Sequence, residues 1–181
     1  MGYNVIKKTT YENHLDASVA RWFAVYTRYK REKLVKKMLE DKGIEAYLPL
    51  QKKTRQYIRK IKTVELPLIN CYVFVKIVKD QYIGVLETEN VLRFVRFSQN
   101  IVAIPDREME VMRRVVGEGI PIEVEVSAFV PGDAVEIIGG NLTGLRGKLV
   151  EKHNKKRFVV DLDVIGHSLI MEIDPRLLRR I

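Results

Sequence analysis

The stretch VPGDAVEIIGGNLTGLRGKLV, residues 130–150, sets five glycines among short apolar runs. Pro131-Gly132-Asp133 and Gly139-Gly140-Asn141 are turn signals, and Ala134 to Ile138 alternates as a strand does. Gly140, Gly144 and Gly147 precede a second strand. Glycine there permits the positive φ of a tight turn and a close approach of neighbouring backbones. The texture persists to Ile181: residues 129–181 hold six of the eleven glycines, with Val/Ile-rich strands such as FVVDLDVI, 158–165. Short strands at this spacing predict a small β-barrel over 129–181.

Upstream, IPIEVEVSA (120–128) reads as an extended linker, and the pattern before it is different. Arg21 to Arg28 predicts a strand, with Trp22, Ala24 and Tyr26 on one face and Phe23, Val25 and Thr27 on the other. Leu34, Val35, Met38 and Leu39 recur at helical spacing within Arg31 to Lys42, with Glu32 and Lys36 as a favourable i,i+4 pair and Gly43 placed for the C′ position. Strands are predicted at Glu45–Gln51, Val64–Ile77, Val91–Phe97 and Ile101–Ile104. Residues 52–62, KKTRQYIRKIK, read as a basic hairpin or loop. Gln81–Glu89 reads as a short helix, and Arg107–Val116 as another, capped by Asp106. This order predicts an α+β fold: an antiparallel sheet with helices on one face over 21–119. Residues 1–20 show no period and read as a poorly ordered extension.

The 181-residue chain carries 32 Lys+Arg against 23 Asp+Glu, a formal net charge of +9. Residues 28–62 hold 13 basic and 4 acidic side chains, and so account for the whole excess, whereas 121–181 hold nine of each. This asymmetry points to a polyanion as partner of the N-terminal part; the alternative is a solvated basic face. No apolar run approaches the length of a membrane span, and Met1 to Asp16 lacks the apolar core of a secretory signal. The single cysteine, Cys71, excludes an intramolecular disulfide and a multi-cysteine zinc site. A cytoplasmic location is expected, with no membrane partner.

Three motifs carry a resemblance. Residues 130–150 resemble a KOW motif. RWFAVYTRYKREKLVKKM (21–38) resembles the opening strand and helix of the NusG amino-terminal domain. PLINCYVFVKI (67–77) is similar to that family's Pro-Leu-Phe-Pro-Gly-Tyr-Val-Phe-Val strand, except that Ile69, Asn70 and Cys71 replace Phe-Pro-Gly. The resemblance covers about 21–181. Tyr26, the Tyr72-Val73-Phe74 triplet and the basic 52–62 segment look closer to operon-specific, RfaH-like members, among them capsule and exopolysaccharide antiterminators.

The resemblance implies an amino-terminal domain that grips the clamp helices of RNA polymerase with an apolar patch, matched here by Tyr26, Leu68, Ile69 and Tyr72. The alternative for all four is sheet core. It also implies contact with the nontemplate DNA strand. Arg28, Tyr29, Lys30 and Arg31 match the family's basic segment, with Tyr29 able to stack on a base. Lys52, Lys53, Arg55, Arg59, Lys60 and Lys62 form a second basic candidate, or a charged hairpin with no such role. The loop DVIGHS (163–168) aligns with the family's contact for ribosomal protein S-ten or Rho, nominating Val164, Ile165 and His167; for the first two the alternative is a buried strand. Some RfaH-like barrels refold as a helical hairpin over the polymerase patch. The glycines and the Val-rich run here disfavour that.

No cofactor is expected. His14, His153 and His167 are scattered, and neither HExxH, GxSxG nor GxxxxGK[ST] occurs. The expected function is antitermination by a polymerase-bound elongation factor, serving a particular operon. The alternatives are a general factor acting on all genes and a KOW protein bound to ribosome or RNA.

Overall fold

The computed structural model describes residues 13–57, 60–97, 99–127, 132–152 and 155–181, with backbone alone at 55, 57, 60, 61, 152 and 155. The elements run β1 (Arg21–Thr27), α1 (Glu32–Asp41), β2 (Glu45–Tyr47), β3 (Leu50–Tyr57), β4 (Lys60–Pro67), β5 (Tyr72–Ile77), α2 (Tyr82–Leu86), β6 (Val91–Phe94) and α3 (Asp106–Gly117). A 3-10 turn, Lys79–Gln81, leads into α2. The second half is β7 (Ile122–Val126), β8 (Asp133–Ile137), β9 (Arg146–Lys152), β10 (Lys155–Leu162), β11 (His167–Met171) and β12 (Leu178–Arg180). No described helix is long and apolar enough to cross a membrane.

The first sheet has the order β2-β5-β1-β6 and every pairing is antiparallel. Alternation along β1 and β5 gives it two apolar faces. Phe23, Val25, Val73, Val75 and Ile77 pack against Val35 and Leu39 of α1 and Val85 of α2. Trp22, Ala24, Tyr72 and Phe74 share the opposite cluster with Met109, Met112 and Val115 of α3. The Arg113 guanidinium of α3 lies 5.0 Å from the centre of the Trp22 ring. Helices therefore flank both faces, not one as the sequence predicts, because both faces of the sheet are apolar.

Several boundaries also differ. Pro49 separates β2 from β3, so the strand expected over Glu45–Gln51 is two. The basic segment is a hairpin, β3 with β4, pairing from Leu50–Pro67 to Tyr57–Lys60. The strand expected over Val64–Ile77 breaks at residues 68–71, where Cys71 takes φ 65°. β6 stops at Phe94, and residues 101–104 make isolated bridges only. Asp106 is the first residue of α3, preceded by Pro105, and makes no side-chain cap. Lys36 pairs with Glu40 at 2.6 Å rather than with Glu32. Of the expected N-terminal extension, residues 1–12 lie outside the described residues. Asn13 bridges Ile101, and His14 Nδ1 accepts the Ala103 amide, so the last part of that segment is packed on the fold.

The second sheet has the order β12-β8-β9-β10-β11-β7, again antiparallel. Its inner face is lined by Val135, Ile137, Phe158, Leu162, Leu169 and Met171. The segment read as a linker is extended, but its residues 122–126 are β7, paired with β11 from Ile122–Met171 to Val126–His167. Gly144 takes φ 83° in the turn before β9. A Cβ on Gly147 would run into the Val159 carbonyl oxygen and, at 2.8 Å, the Phe158 ring. Phe129, Val130 and Pro131, at the predicted start of the barrel, lie outside the described residues. No helical hairpin forms: among described residues, 132–181 are strands and turns apart from the 3-10 turn Pro175–Leu177.

Candidate functional site

The site is organised where β1 ends, α1 begins and β5 begins. Thr27 N–H donates to the Cys71 carbonyl at 2.9 Å. The buried Glu32 carboxylate, in the first turn of α1, accepts the Cys71 amide at 2.8 Å. These bonds hold Cys71 in a left-handed conformation, which is costly for a residue with a Cβ and open to glycine. Cys71 stands where the resembled strand has glycine, so the turn survives the substitution and delivers Tyr72 opposite Tyr26 in register.

The two rings pack at 4.6 Å between centres, and Tyr72 Oη donates to Tyr26 Oη at 2.6 Å. Burial, then this hydrogen bond, holds the Tyr72 phenol well above its ordinary range. Arg93 of β6 lies 4.8 Å over the Tyr26 ring. Leu68 and Ile69 complete the patch and are 5% and 4% exposed, as Tyr72 is 5%. All four candidates for polymerase contact thus come together, with Tyr26 only partly buried.

What covers the patch is the second sheet. Ile165, Val164, Leu142 and Leu145 belong to the same apolar cluster as Leu68, Ile69 and Tyr72. His167, at the start of β11, meets the Tyr72 ring edge-on at 5.3 Å between centres. Its Nδ1 lies 2.8 Å from the Ile165 carbonyl, which can only accept, so Nδ1 carries the proton. The two groups of residues nominated for two different partners therefore face each other across one seam.

A polar margin runs along α3. Arg114 Nη2 donates to the carbonyls of Asn141 and Thr143 at 3.0 and 2.8 Å, and Asn141 Nδ2 donates to Glu118 Oε2 at 3.2 Å. Glu108 is buried at this margin and accepts the Val164 amide, but its Oε2 has no hydrogen-bond partner. Burial, reinforced by Asp163, pushes its carboxyl up to about 7 against the opposing pull of Arg107.

The basic candidates divide. Arg28, Tyr29, Lys30 and Arg31 are exposed on the turn into α1, with Lys30 at φ 61° and its Nζ 5.2 Å from the Tyr29 ring centre. Tyr29 is 63% exposed. Lys52 and Lys53 are exposed on β3, opposite Glu65 and Val64. Arg55 is described by backbone only, opposite Lys62, and Arg59 lies outside the described residues. Tyr29, Lys30, Lys33 and Lys53 line one cleft of about 890 Å³ that the sequence keeps twenty residues apart. Its far wall is β7, which contributes Glu123 and Glu125.

Glu32, Arg93, Glu108, Asp163 and Arg114 were not among the sequence candidates. Glu32 reads locally as a helix-surface charge, and nothing near Glu108 distinguishes it from the other acids of α3. Each acquires its role from a residue at least 27 positions away.

Residues 20–113 match the protein-family model described as transcription termination factor nusG. Among solved structures, a study of domain interaction in Thermotoga maritima NusG is similar at 24% identity and a TM-score of 0.55, covering 91% of this chain and 99% of that one. The MjSpt4:Spt5 complex in conformation A aligns at 18% identity and a TM-score of 0.31, over 88% of this chain and 97% of that one. The likeness to the Thermotoga structure is one of fold. No curated protein matches.

Proposed function

Because the chain belongs to the NusG family, whose members are polymerase-associated transcription factors, we propose that it binds elongating RNA polymerase through the Tyr26–Tyr72 face and sustains elongation as an antitermination factor of a particular operon. The observation that carries this is the paired aromatic face itself. Two tyrosines in mutual contact, flanked by Leu68 and Ile69, form an apolar surface whose cover comes from the second sheet. Aromatics in such a cluster supply much of the energy of a protein interface. The occupant that replaces the second sheet is the pair of clamp helices. Exposed Arg28, Tyr29, Lys30 and Arg31 lie at the edge of this face and serve the nontemplate strand, the cations on phosphates and Tyr29 against a base. The basic hairpin extends that surface. The concentration of all excess charge in residues 28–62 favours an operon-specific factor over a general one. Val164, Ile165 and His167 contact ribosomal protein S-ten or Rho once the seam has parted. The activity is binding and requires no cofactor.

The test is retention of the full chain on core RNA polymerase at low and moderate salt. An apolar grip persists at moderate salt, where exposed ion pairs are screened. Ile165→Glu, which places a charge in the seam, raises retention by uncovering the face. Tyr26→Ala with Tyr72→Ala abolishes it. Equal retention of both variants, each shown folded, sinks the assignment of this face. Chromatin occupancy at one locus rather than at most transcribed genes then separates the operon-specific factor from a general one.

A further inference from the structure

We infer that Glu108 and Asp163 form a proton-dependent latch between the two halves of the chain, closed when Glu108 is protonated and released when it ionises. Glu108 projects from the first turn of α3, and Asp163 stands in the turn between β10 and β11, beside the Val164 amide that Glu108 accepts. The latch concerns the opening of the seam and stands whatever the uncovered face binds.

A carboxylate at this place is poorly accommodated. Glu108 is 6% exposed and its Oε2 has no partner, so as an anion it leaves a charged oxygen buried and unsatisfied. A second carboxylate, Asp163, faces it from the other side of the seam, and two like charges at one site disfavour joint ionisation. Arg107 on its own helix opposes both effects, as does the positive end of the α3 dipole. The cleft beside it is lined by Glu110 and Arg114 of α3 and by Arg146 and Asp161 of the second sheet. Each of these last three is engaged: Arg114 with the Asn141 and Thr143 carbonyls, Arg146 with Glu136 at 3.6 Å, and Asp161 with Ser168 and Lys148. Parting the halves returns Glu108 to water and removes Asp163, Val164 and the burial together.

The direction follows from linkage. In the closed form the Glu108 carboxyl sits at about 7, and in the open form near its ordinary 4.5. Between those values the closed form holds the extra proton, so closure weakens as pH rises through that range. Above about 7 both forms have ionised and the dependence levels off. From pH 5.5 to 8.0 the ratio of open to closed molecules rises roughly ten- to thirtyfold.

The experiment is ¹⁵N relaxation of the full chain between pH 5.5 and 8.0, reading whether the two halves tumble together or separately. Wild type is expected to tumble as one body at pH 5.5 and to uncouple toward pH 8.0, with the Val164 amide shifting in step. Glu108→Gln keeps the shape of the neutral side chain and is expected to remain coupled at both pH values. Asp163→Asn removes the facing charge and moves the midpoint to higher pH, because less repulsion opposes the closed form. A wild-type profile that is flat, or one that Glu108→Gln reproduces unchanged, overturns the latch. Thermal unfolding at each pH establishes that every variant is folded when read.

Discussion

Glu32 and Cys71 are joined across 39 residues by one hydrogen bond of 2.8 Å from a main-chain amide to a buried carboxylate. It fixes the turn from which β5 departs, and with it the position of Tyr72. Replacing Glu32 by Ala leaves the Cys71 amide without its acceptor and is expected to cost about 1–3 kcal/mol, whereas Gln retains an acceptor and costs less. Thermal denaturation of the three proteins orders them wild type, Gln, Ala. An Ala variant as stable as wild type would show that the turn does not depend on the bond.

Cys71 pays for a left-handed backbone that glycine adopts freely. Cys71→Gly is therefore expected to raise stability, by up to about 1 kcal/mol after the greater freedom of glycine in the unfolded chain is deducted. A lower melting temperature would mean that the packing of the thiol outweighs the strain.

The Tyr72–Tyr26 hydrogen bond predicts coupling. Tyr72→Phe and Tyr26→Phe, singly and together, should give an interaction energy of about 0.5–1.5 kcal/mol in a double-mutant cycle read by denaturant unfolding. Strict additivity would place the two hydroxyls in independent environments.

Gly147 and Gly144 make different demands on the second sheet. Alanine at 147 meets the Val159 carbonyl and the Phe158 ring, and is expected to cost about 1–3 kcal/mol by forcing β9 and β10 apart. At 144 the space is open and only the positive φ resists a side chain, at about 1–2 kcal/mol. Protection of the β9–β10 amides from hydrogen exchange should fall in Gly147→Ala and persist in Gly144→Ala.

Lys30 and Lys53 share the cleft with Tyr29. If both engage the phosphates of one single strand, Lys30→Ala and Lys53→Ala should each flatten the dependence of log affinity on log salt by about 0.7. Titration of the full chain with single-stranded DNA over several salt concentrations measures this. An unchanged slope for either lysine removes it from the interface.

Much of this architecture was legible because it is local. Leu34, Val35, Met38 and Leu39 announce α1 by their spacing, and Gly43 ends it with the expected positive φ of 74°. The break before Tyr72 was not legible, since Asn70 alone between the apolar Ile69 and Cys71 is a weak turn signal inside an apolar run; a carboxylate on α1 holds the turn. Residues 122–126 alternate as a strand does, but their partner, β11, lies some 45 residues on, and nothing nearby distinguishes a connector from a ladder. The Tyr26–Tyr72 patch was legible as residues. Its cover was not, because Leu68 or Ile69 looks the same beneath a foreign protein as beneath the chain's own second sheet.

Only residues 118–121 separate the end of α3 from the first strand of the second sheet. Four residues reach no more than about 14 Å even when fully extended. A parted second sheet is thus a leashed competitor, held near the face it has left at an effective concentration in the millimolar range. A rival at about 1 μM has to bind that face roughly a thousand times more tightly than the sheet does merely to share it equally. Affinity measured on the intact protein consequently reports a contest against this leash, and lengthening residues 118–121 strengthens every rival without altering a single contact.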